Sequence, residues 1–142
     1  GTAVGRVAFS YKSGILFVTL PSGRKLSYVK PRMAINKFGR EGLTYEGIGE
    51  SKKWLRIDTY GPKLVENIVQ ATSRDLLALA MLRLRSHGYA IVMHVHDEAV
   101  LEVPEGQSSV GEICKIMATA PGWAAGLPLR ADGYECGFYK KD

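Results

Sequence analysis

The sequence predicts an α+β fold in which a long helix and a second, shorter helix pack on one face of an antiparallel sheet. Short runs rich in β-branched and aromatic residues, separated by turn residues, dominate residues 1–58. Apolar residues then recur at helical spacing over residues 59–88. Two further strand-like runs over 89–104 precede a second helical pattern and a tail over 105–142. A length of 142 residues predicts a single domain.

The first part of the chain alternates strand patterns with turn signals. A hairpin is predicted around Lys12-Ser13-Gly14, and Pro31 is expected to interrupt or end the third strand because proline lacks an N–H to donate. The predicted strands cover residues 7–11, 15–20, 25–29, 43–47 and 53–57.

Helix signals are clear in the second part. Pro62 suits a first helical turn, and Gly88 follows His87 as a C-terminal stop. Ser108 or Ser109 can cap the second helix, which is expected to run to about residue 118. The glycine- and proline-rich tail is predicted to be mostly loop, with a short strand near residues 129–138.

Basic residues are concentrated at the beginning of the chain. Residues 1–40 carry eight lysines and arginines and no acid, whereas residues 76–142 hold six basic and eight acidic residues. A one-sided basic segment suggests a polyanionic partner, most simply nucleic acid. The alternative is that these cations protect strand edges from aggregation.

Several classes of protein are disfavoured by composition. No apolar run approaches the ~18 residues of a membrane span. The N-terminus lacks a signal pattern and a starting methionine, so we expect a processed or excised piece of a cytoplasmic protein. Cys114 and Cys136 fit no metal-ligand spacing and are interpreted as reduced thiols, with a single disulfide as the alternative.

The most informative stretch is His96-Asp97-Glu98. Two apolar, β-branched runs flank it without an intervening glycine or proline, which predicts two strands that meet at a tight turn. Two adjacent carboxylates repel each other, and a divalent cation is their usual partner. The sequence therefore predicts a metal site at Asp97 and Glu98.

Two weaker patterns accompany it. His94 and His96 could bind zinc from one strand face, although we favour His94 as a core or subsurface histidine. A polar stripe on the long helix consists of Lys63, Asn67, Gln70 and Arg74. Amides can hydrogen-bond base edges and cations can hold phosphates, so this stripe is a candidate DNA-binding face as well as an ordinary solvated one.

The sequence Val95-His96-Asp97-Glu98 between apolar strands resembles motif C of the family A DNA polymerases. Residues 70–77 (Gln-Ala-Thr-Ser-Arg-Asp-Leu-Leu) are similar to the family's Gln-Gly-Thr-Ala-Ala-Asp-Ile-Ile stretch. Residues 20–26, 60–70 and 126–136 resemble phage and prophage versions. The resemblance thus extends over nearly the whole chain and implies part of a polymerase palm.

This resemblance implies roles for individual residues. Asp97 and Glu98 would be metal ligands of a two-metal Mg²⁺ centre, with Glu98 the less essential, and His96 would contact the primer terminus. Gln70 and Asn67 would contact the minor groove of the primer–template duplex, where similar acceptors occur in all base pairs. Asn67 and Gln70 are three residues apart where better-known members have four, and Ala71 replaces a glycine.

Two hallmarks of the family have no counterpart in the sequence. Neither an Asp-Tyr-Ser-x-Ile-Glu-like motif A nor an Arg…Lys…Phe…Tyr-Gly nucleotide-binding helix is present, and both precede this region in the family. The chain is therefore expected to be a C-terminal palm fragment, inactive alone, that depends on the remaining N-terminal polymerase domains, primer–template DNA and dNTP. The alternatives are a stand-alone nucleic-acid-binding module or a small metal-dependent hydrolase that uses His94, His96 and Asp97.

Overall fold

The computed structural model describes residues 1–141, and the predicted α+β class and antiparallel pairing are confirmed. The strands are β1 (Thr2–Val4), β2 (Val7–Lys12), β3 (Ile15–Thr19), β4 (Lys25–Ile35), β5 (Glu41–Ile48), β6 (Trp54–Thr59), β7 (Ala90–Val95) and β8 (Glu98–Glu102). The helices are α1 (Gly61–Ser86) and α2 (Val110–Met117), and a 3-10 turn covers Gly122–Ala124.

The chain divides into two compact units, with the division inside α1 between Thr72 and Ser73. The first unit contains the sheet β1-β2-β3-β4-β5-β6, in which every neighbouring pair is antiparallel, and the beginning of α1. The second unit contains the rest of α1, the separate β7–β8 hairpin, α2 and the tail. The single domain expected for residues 1–142 stays a prediction.

In the first unit, α1 is tied to the sheet through Tyr28. This residue is buried in β4, and its ring meets that of Tyr45 edge-on, with 5.0 Å between the ring centroids. Asn67 Nδ2 donates a hydrogen bond to the Tyr28 hydroxyl at 3.1 Å, and Arg24 Nη2 donates to the Ala71 carbonyl at 2.9 Å. The beginning of α1 is therefore held by two hydrogen bonds, one from within β4 and one from the turn before it.

Pro31 does not end its strand. Strand β4 runs through it to Ile35, and the register with β5 shifts between Val29 and Arg32. Lys30 adopts a left-handed conformation (φ 45°) at this bulge. A bulge can leave a residue outside the hydrogen-bond ladder, so the missing N–H of proline is tolerated there.

A cluster of charged and aromatic side chains supports the bulge. Arg56 Nη1 donates to the Lys30 carbonyl at 3.1 Å and to Thr44 Oγ1 at 3.0 Å. Glu46 accepts from Trp54 Nε1 at 3.1 Å and forms ion pairs with Arg56 at 3.2 Å and Lys30 at 3.3 Å. The Trp54 hydrogen bond, followed by the contacts with Lys30 and Arg56, lowers the pKa of Glu46 despite partial desolvation.

Local signals placed the end of α1 and the beginning of α2 correctly. Leu77, Ala80 and Leu84 are the buried residues of α1, and Gly88 (φ 88°) ends the helix with its N–H bonded to the Arg85 carbonyl. Ser109 caps α2, as one of the two predicted alternatives, by accepting a hydrogen bond from the Glu112 N–H at 3.2 Å.

The strand predicted near residues 129–138 is absent from the described part of the tail. Gly133 instead lies against α2, where an added Cβ would come within 3.2 Å of Val110 Cγ1 and 3.5 Å of Cys114 Sγ. The tail thus packs on a helix and has no neighbouring strand with which to form a ladder. The thiols of Cys114 and Cys136 are both free.

None of the helices within residues 1–141 combines the length and the apolar character needed to cross a membrane.

Replacing Tyr28 with Phe removes the acceptor of the Asn67 hydrogen bond and retains the ring. We expect the free energy of unfolding in urea to fall by about 0.5–1.5 kcal/mol, the usual net contribution of such a bond. Tyr11→Phe is the matched control, because Tyr11 is 67% exposed. Equal stability of the two variants would contradict the role of this bond.

The lowered pKa of Glu46 predicts a specific acid sensitivity. The stability contributed by the charged carboxylate is fully present above its ordinary pKa of 4.5 and is lost as the pH falls through the lower folded-state value. In Glu46→Gln this loss cannot occur, so the melting temperature should fall less steeply below pH 4.5 than in the wild type. Glu50→Gln, at an exposed position, should keep the wild-type slope.

Candidate functional site

The predicted hairpin is present, with a two-residue turn. Val95 is paired with Glu98, so His96 and Asp97 form the turn and Glu98 is the first residue of β8. Asp97 is exposed and Glu98 is half-buried. The two carboxylates therefore lie at neighbouring positions, one in the turn and one on the strand.

His96 has a left-handed backbone conformation, with φ at 52°. Two-residue hairpins favour positive φ at the first turn position, because this geometry matches the twist of the strands. Histidine is one of the few residues other than glycine that is enriched in this region, at a cost of roughly 1–2 kcal/mol. Ser13, Lys30 and Lys52 have positive φ as well, so the conformation is a property of the turn, in which Asp97 is the second residue.

The hairpin by itself could supply only two ligands to a metal ion. No group of three or more His, Cys, Asp and Glu side chains positioned to hold a metal occurs within residues 1–141. Magnesium prefers an octahedron of oxygens and is usually bound through one or two carboxylates plus water or substrate. Asp97 and Glu98 are the right kind of ligand for such an ion, which would need its remaining ligands from elsewhere.

The interpretation of His94 as a core or subsurface residue is wrong, because His94 is exposed. Its cross-strand partner is Ala99. A register shift between Ile91 and Met93 interrupts the alternation of the two strand faces before His94 is reached. The expectation that His94 and His96 share a strand face also fails, since regular strand geometry ends at Val95. The hydrolase alternative therefore lacks both a shared face and a third ligand among the described residues.

The polar stripe of α1 is only partly available for DNA. Lys63 Nζ pairs with Glu66 Oε2 at 3.2 Å, and one amide hydrogen of Asn67 is used in the contact with Tyr28. Gln70 and Arg74 are exposed. The structure thus gives Asn67 a packing role that sequence reasoning missed, because its partner Tyr28 is 39 residues away. The DNA contacts of these residues and of His96 remain predictions.

Several cations of the basic first forty residues contact groups of the sheet and the helix. Arg24 reaches the Ala71 carbonyl, Lys30 pairs with Glu46, and Lys25 Nζ lies 5.7 Å from the centre of the Phe17 ring. Part of this positive charge therefore supports the fold. The polyanion interpretation has to rest on the other cations of the segment.

Sequence comparison links the chain to a phage protein. Over 137 residues, 96% of the chain, it is 58% identical to a protein called DNA polymerase from Bacillus phage SP02. The match covers 21% of that protein, so the chain spans about a fifth of its length. No protein-family model matches the chain, and no solved structure matches it.

The conformation of His96 predicts opposite effects of two substitutions. His96→Gly should leave the stability unchanged or raise it by up to about 1 kcal/mol, since glycine adopts positive φ without strain. His96→Val should lower it by roughly 1–2 kcal/mol, since a β-branched residue resists this conformation. The stability is measured by urea unfolding, with hydrogen exchange at Val95 and Glu98 as a local readout.

His94→Val is the matched control, because His94 is exposed on a strand and valine favours strands. We expect a change within about 0.5 kcal/mol for such a surface substitution. An equal decrease in stability in the two valine variants would contradict the turn geometry.

Proposed function

We propose that this chain is the C-terminal palm portion of a family A DNA polymerase, which adds dNTPs to a primer 3′ end as directed by a DNA template. The observation that carries the proposal is the 58% identity, maintained over 96% of the chain, to a protein called DNA polymerase. The turn His96-Asp97-Glu98 supports it, because the chain holds two adjacent carboxylates at the end of a strained hairpin. A phage or prophage protein of this kind would act in the cytoplasm of its bacterial host.

In this proposal Asp97 and Glu98 hold Mg²⁺ together with carboxylates from the rest of the polymerase. The bound ions would supply positive charge against the phosphates and the developing alkoxide of the primer. The protein's own contribution is to present the Asp97 carboxylate from a turn whose backbone is set by two paired strands. Precise placement of this kind is what a metal-binding carboxylate requires.

The same proposal assigns DNA contacts to His96 and to the polar stripe of α1, in which Asn67 would use the amide hydrogen that Tyr28 does not take. His96 contacts the primer terminus, Gln70 and Asn67 contact minor-groove acceptors, and Lys63 and Arg74 hold phosphates. The Lys63–Glu66 pair is exposed, and such pairs contribute little, so Lys63 can exchange Glu66 for a phosphate at little cost.

The chain alone is proposed to be inactive. It offers two neighbouring carboxylates and, within residues 1–141, no third ligand near them. The uncovered residues of β7 are consistent with burial against further polymerase domains, since Val92 is 55% exposed. Primer–template DNA, dNTP and those domains are the proposed partners.

A stand-alone nucleic-acid-binding module is the second candidate, and the basic residues 1–40 favour it. The two functions differ in their dependence on metal. A simple binding module would need no Mg²⁺ and would show only a steep dependence on salt.

The test is a chimaera in which this chain replaces the matching fifth of the SP02 polymerase. Asp97→Ala should lower primer extension by at least about a hundredfold, since metal-ion stabilisation is worth several kcal/mol. Glu98→Ala should have a smaller effect, and binding of primer–template DNA should persist in both. Asp132→Ala, which removes an exposed carboxylate of the tail, is the control. Substantial extension by the Asp97→Ala chimaera would refute the assignment.

A further inference from the structure

The turn between β4 and β5 is built around a single asparagine. Asn36 Oδ1 accepts hydrogen bonds from the backbone N–H groups of Phe38 at 2.9 Å and Arg40 at 3.1 Å. The backbone of Asn36 donates to the Arg40 carbonyl at 2.8 Å and accepts from the Gly39 N–H at 3.0 Å. This turn, residues 36–40, is called the β4–β5 tip below.

A neighbouring strand supports the β4–β5 tip from outside. Asp58 Oδ2, on β6, accepts a hydrogen bond from the Lys37 N–H at 3.1 Å. Gly39 has positive φ (72°), as a tight turn of this kind requires. The conformation of the tip is thus held by backbone groups, Asn36 and Asp58, and does not depend on the Phe38 side chain.

The β4–β5 tip presents an aromatic ring with one cation beside it and a second cation two residues further along the chain. Phe38 is 76% exposed, and Lys37 Nζ lies 5.2 Å from the centre of its ring. Arg40 is exposed on the other side of Phe38 in sequence. Arg32, Lys37 and Arg40 stand against Glu41 and the Asp58 carboxylate that contacts the tip, so this end of the sheet carries a small excess of positive charge.

We propose that the β4–β5 tip is a binding site for single-stranded nucleic acid, in which a base stacks on Phe38 while Lys37 and Arg40 contact the adjacent phosphates. Aromatic rings combined with nearby cations are the usual means of binding single strands without sequence preference. A duplex would not use the ring, because its bases are already stacked on each other. The identity of the polymer as DNA rests on the proposed function, in which this site would take an unpaired part of the template.

Charge and geometry favour a nucleic acid over a protein as the occupant. Lysine is depleted in protein–protein interfaces, and Lys37 lies directly beside the ring and would have to be desolvated with it. A rigid turn loses little conformational freedom when its exposed ring binds. A polyanion also matches Lys37 and Arg40, two exposed cations of the basic first forty residues that the tip itself presents.

The test measures the binding of a fluorescent single-stranded DNA of about 20 nucleotides, long enough to span one such site, to the 142-residue chain by anisotropy, without metal or dNTP. Phe38→Ala should weaken binding roughly tenfold, as expected for the loss of one stacked base. Phe38→Trp should retain the affinity, and the melting temperature should be unchanged in both. Phe138→Ala is the matched control, because Phe138 is 75% exposed outside this turn.

The dependence of the binding affinity on salt distinguishes the contribution of the Phe38 ring from that of Lys37 and Arg40. In the double variant Lys37→Gln/Arg40→Gln, the slope of log affinity against log salt should become shallower by roughly 0.7 for each phosphate that the protein no longer neutralises. Phe38→Ala should keep the wild-type slope, because it removes no charge. Lys115→Gln, at an exposed position of α2, should also leave the slope unchanged.

Either of two results would overturn this inference: no measurable binding of single strands by the wild-type chain at low salt, or equal affinity of Phe38→Ala and Phe138→Ala. A tip that binds protein would give the second result. If single-strand binding depends on Phe38 while the Asp97→Ala chimaera stays active, the proposed binding site at the β4–β5 tip is supported and the polymerase assignment fails. If single-strand binding does not depend on Phe38 and the Asp97→Ala chimaera is inactive, the polymerase assignment is retained and the proposed binding site at the β4–β5 tip is rejected.

Discussion

The hydrogen bond between Asn67 and Tyr28 is the interaction on which the arrangement of the first unit depends. The part of α1 that belongs to this unit meets the face of the sheet that carries Tyr28 and Tyr45. Burial, followed by the proximity of Tyr28, raises the pKa of Tyr45, with Lys63 acting in the opposite direction. Asn67 faces the sheet through this hydrogen bond, whereas Gln70, three residues further along α1, is exposed.

A second constraint acts at the β-bulge of the same sheet. The bulge at Lys30-Pro31 would leave a strand without regular pairing, and the Arg56 guanidinium compensates by bonding the Lys30 carbonyl. Bulges bend a strand and increase its twist, and the part of β4 beyond this one leads directly into the β4–β5 tip. Basic residues therefore have two separate uses in this unit, one in supporting the bulge and one in the charge of the tip.

The hairpin of the second unit does not use the least strained sequence for its turn. Asn-Gly or Asp-Gly would form a two-residue turn with less strain, whereas this chain has His96-Asp97 with His96 at positive φ. The strain is tolerated because β7 and β8 pair on both sides of the turn. A carboxylate held at such a turn suits a metal site that is completed by other parts of a longer protein.

Much of the architecture follows from local patterns in the sequence. Helical spacing, Gly88 and the Ser109 cap located α1 and α2, and the apolar runs around His96-Asp97-Glu98 predicted the hairpin, because these signals act between residues a few positions apart. Other features were decided only by tertiary structure: the continuation of β4 through Pro31, the exposure of His94, the packing of Gly133 on α2 and the partner of Asn67. Each of these features depends on a residue distant in the chain or on a register shift. Distant contacts and register shifts produce no periodic pattern in the sequence. The sequence alone determined which side chains are chemically able to bind a metal ion or DNA. Tertiary structure decided which of these side chains are already used to hold the fold, because their partners are brought close only by folding.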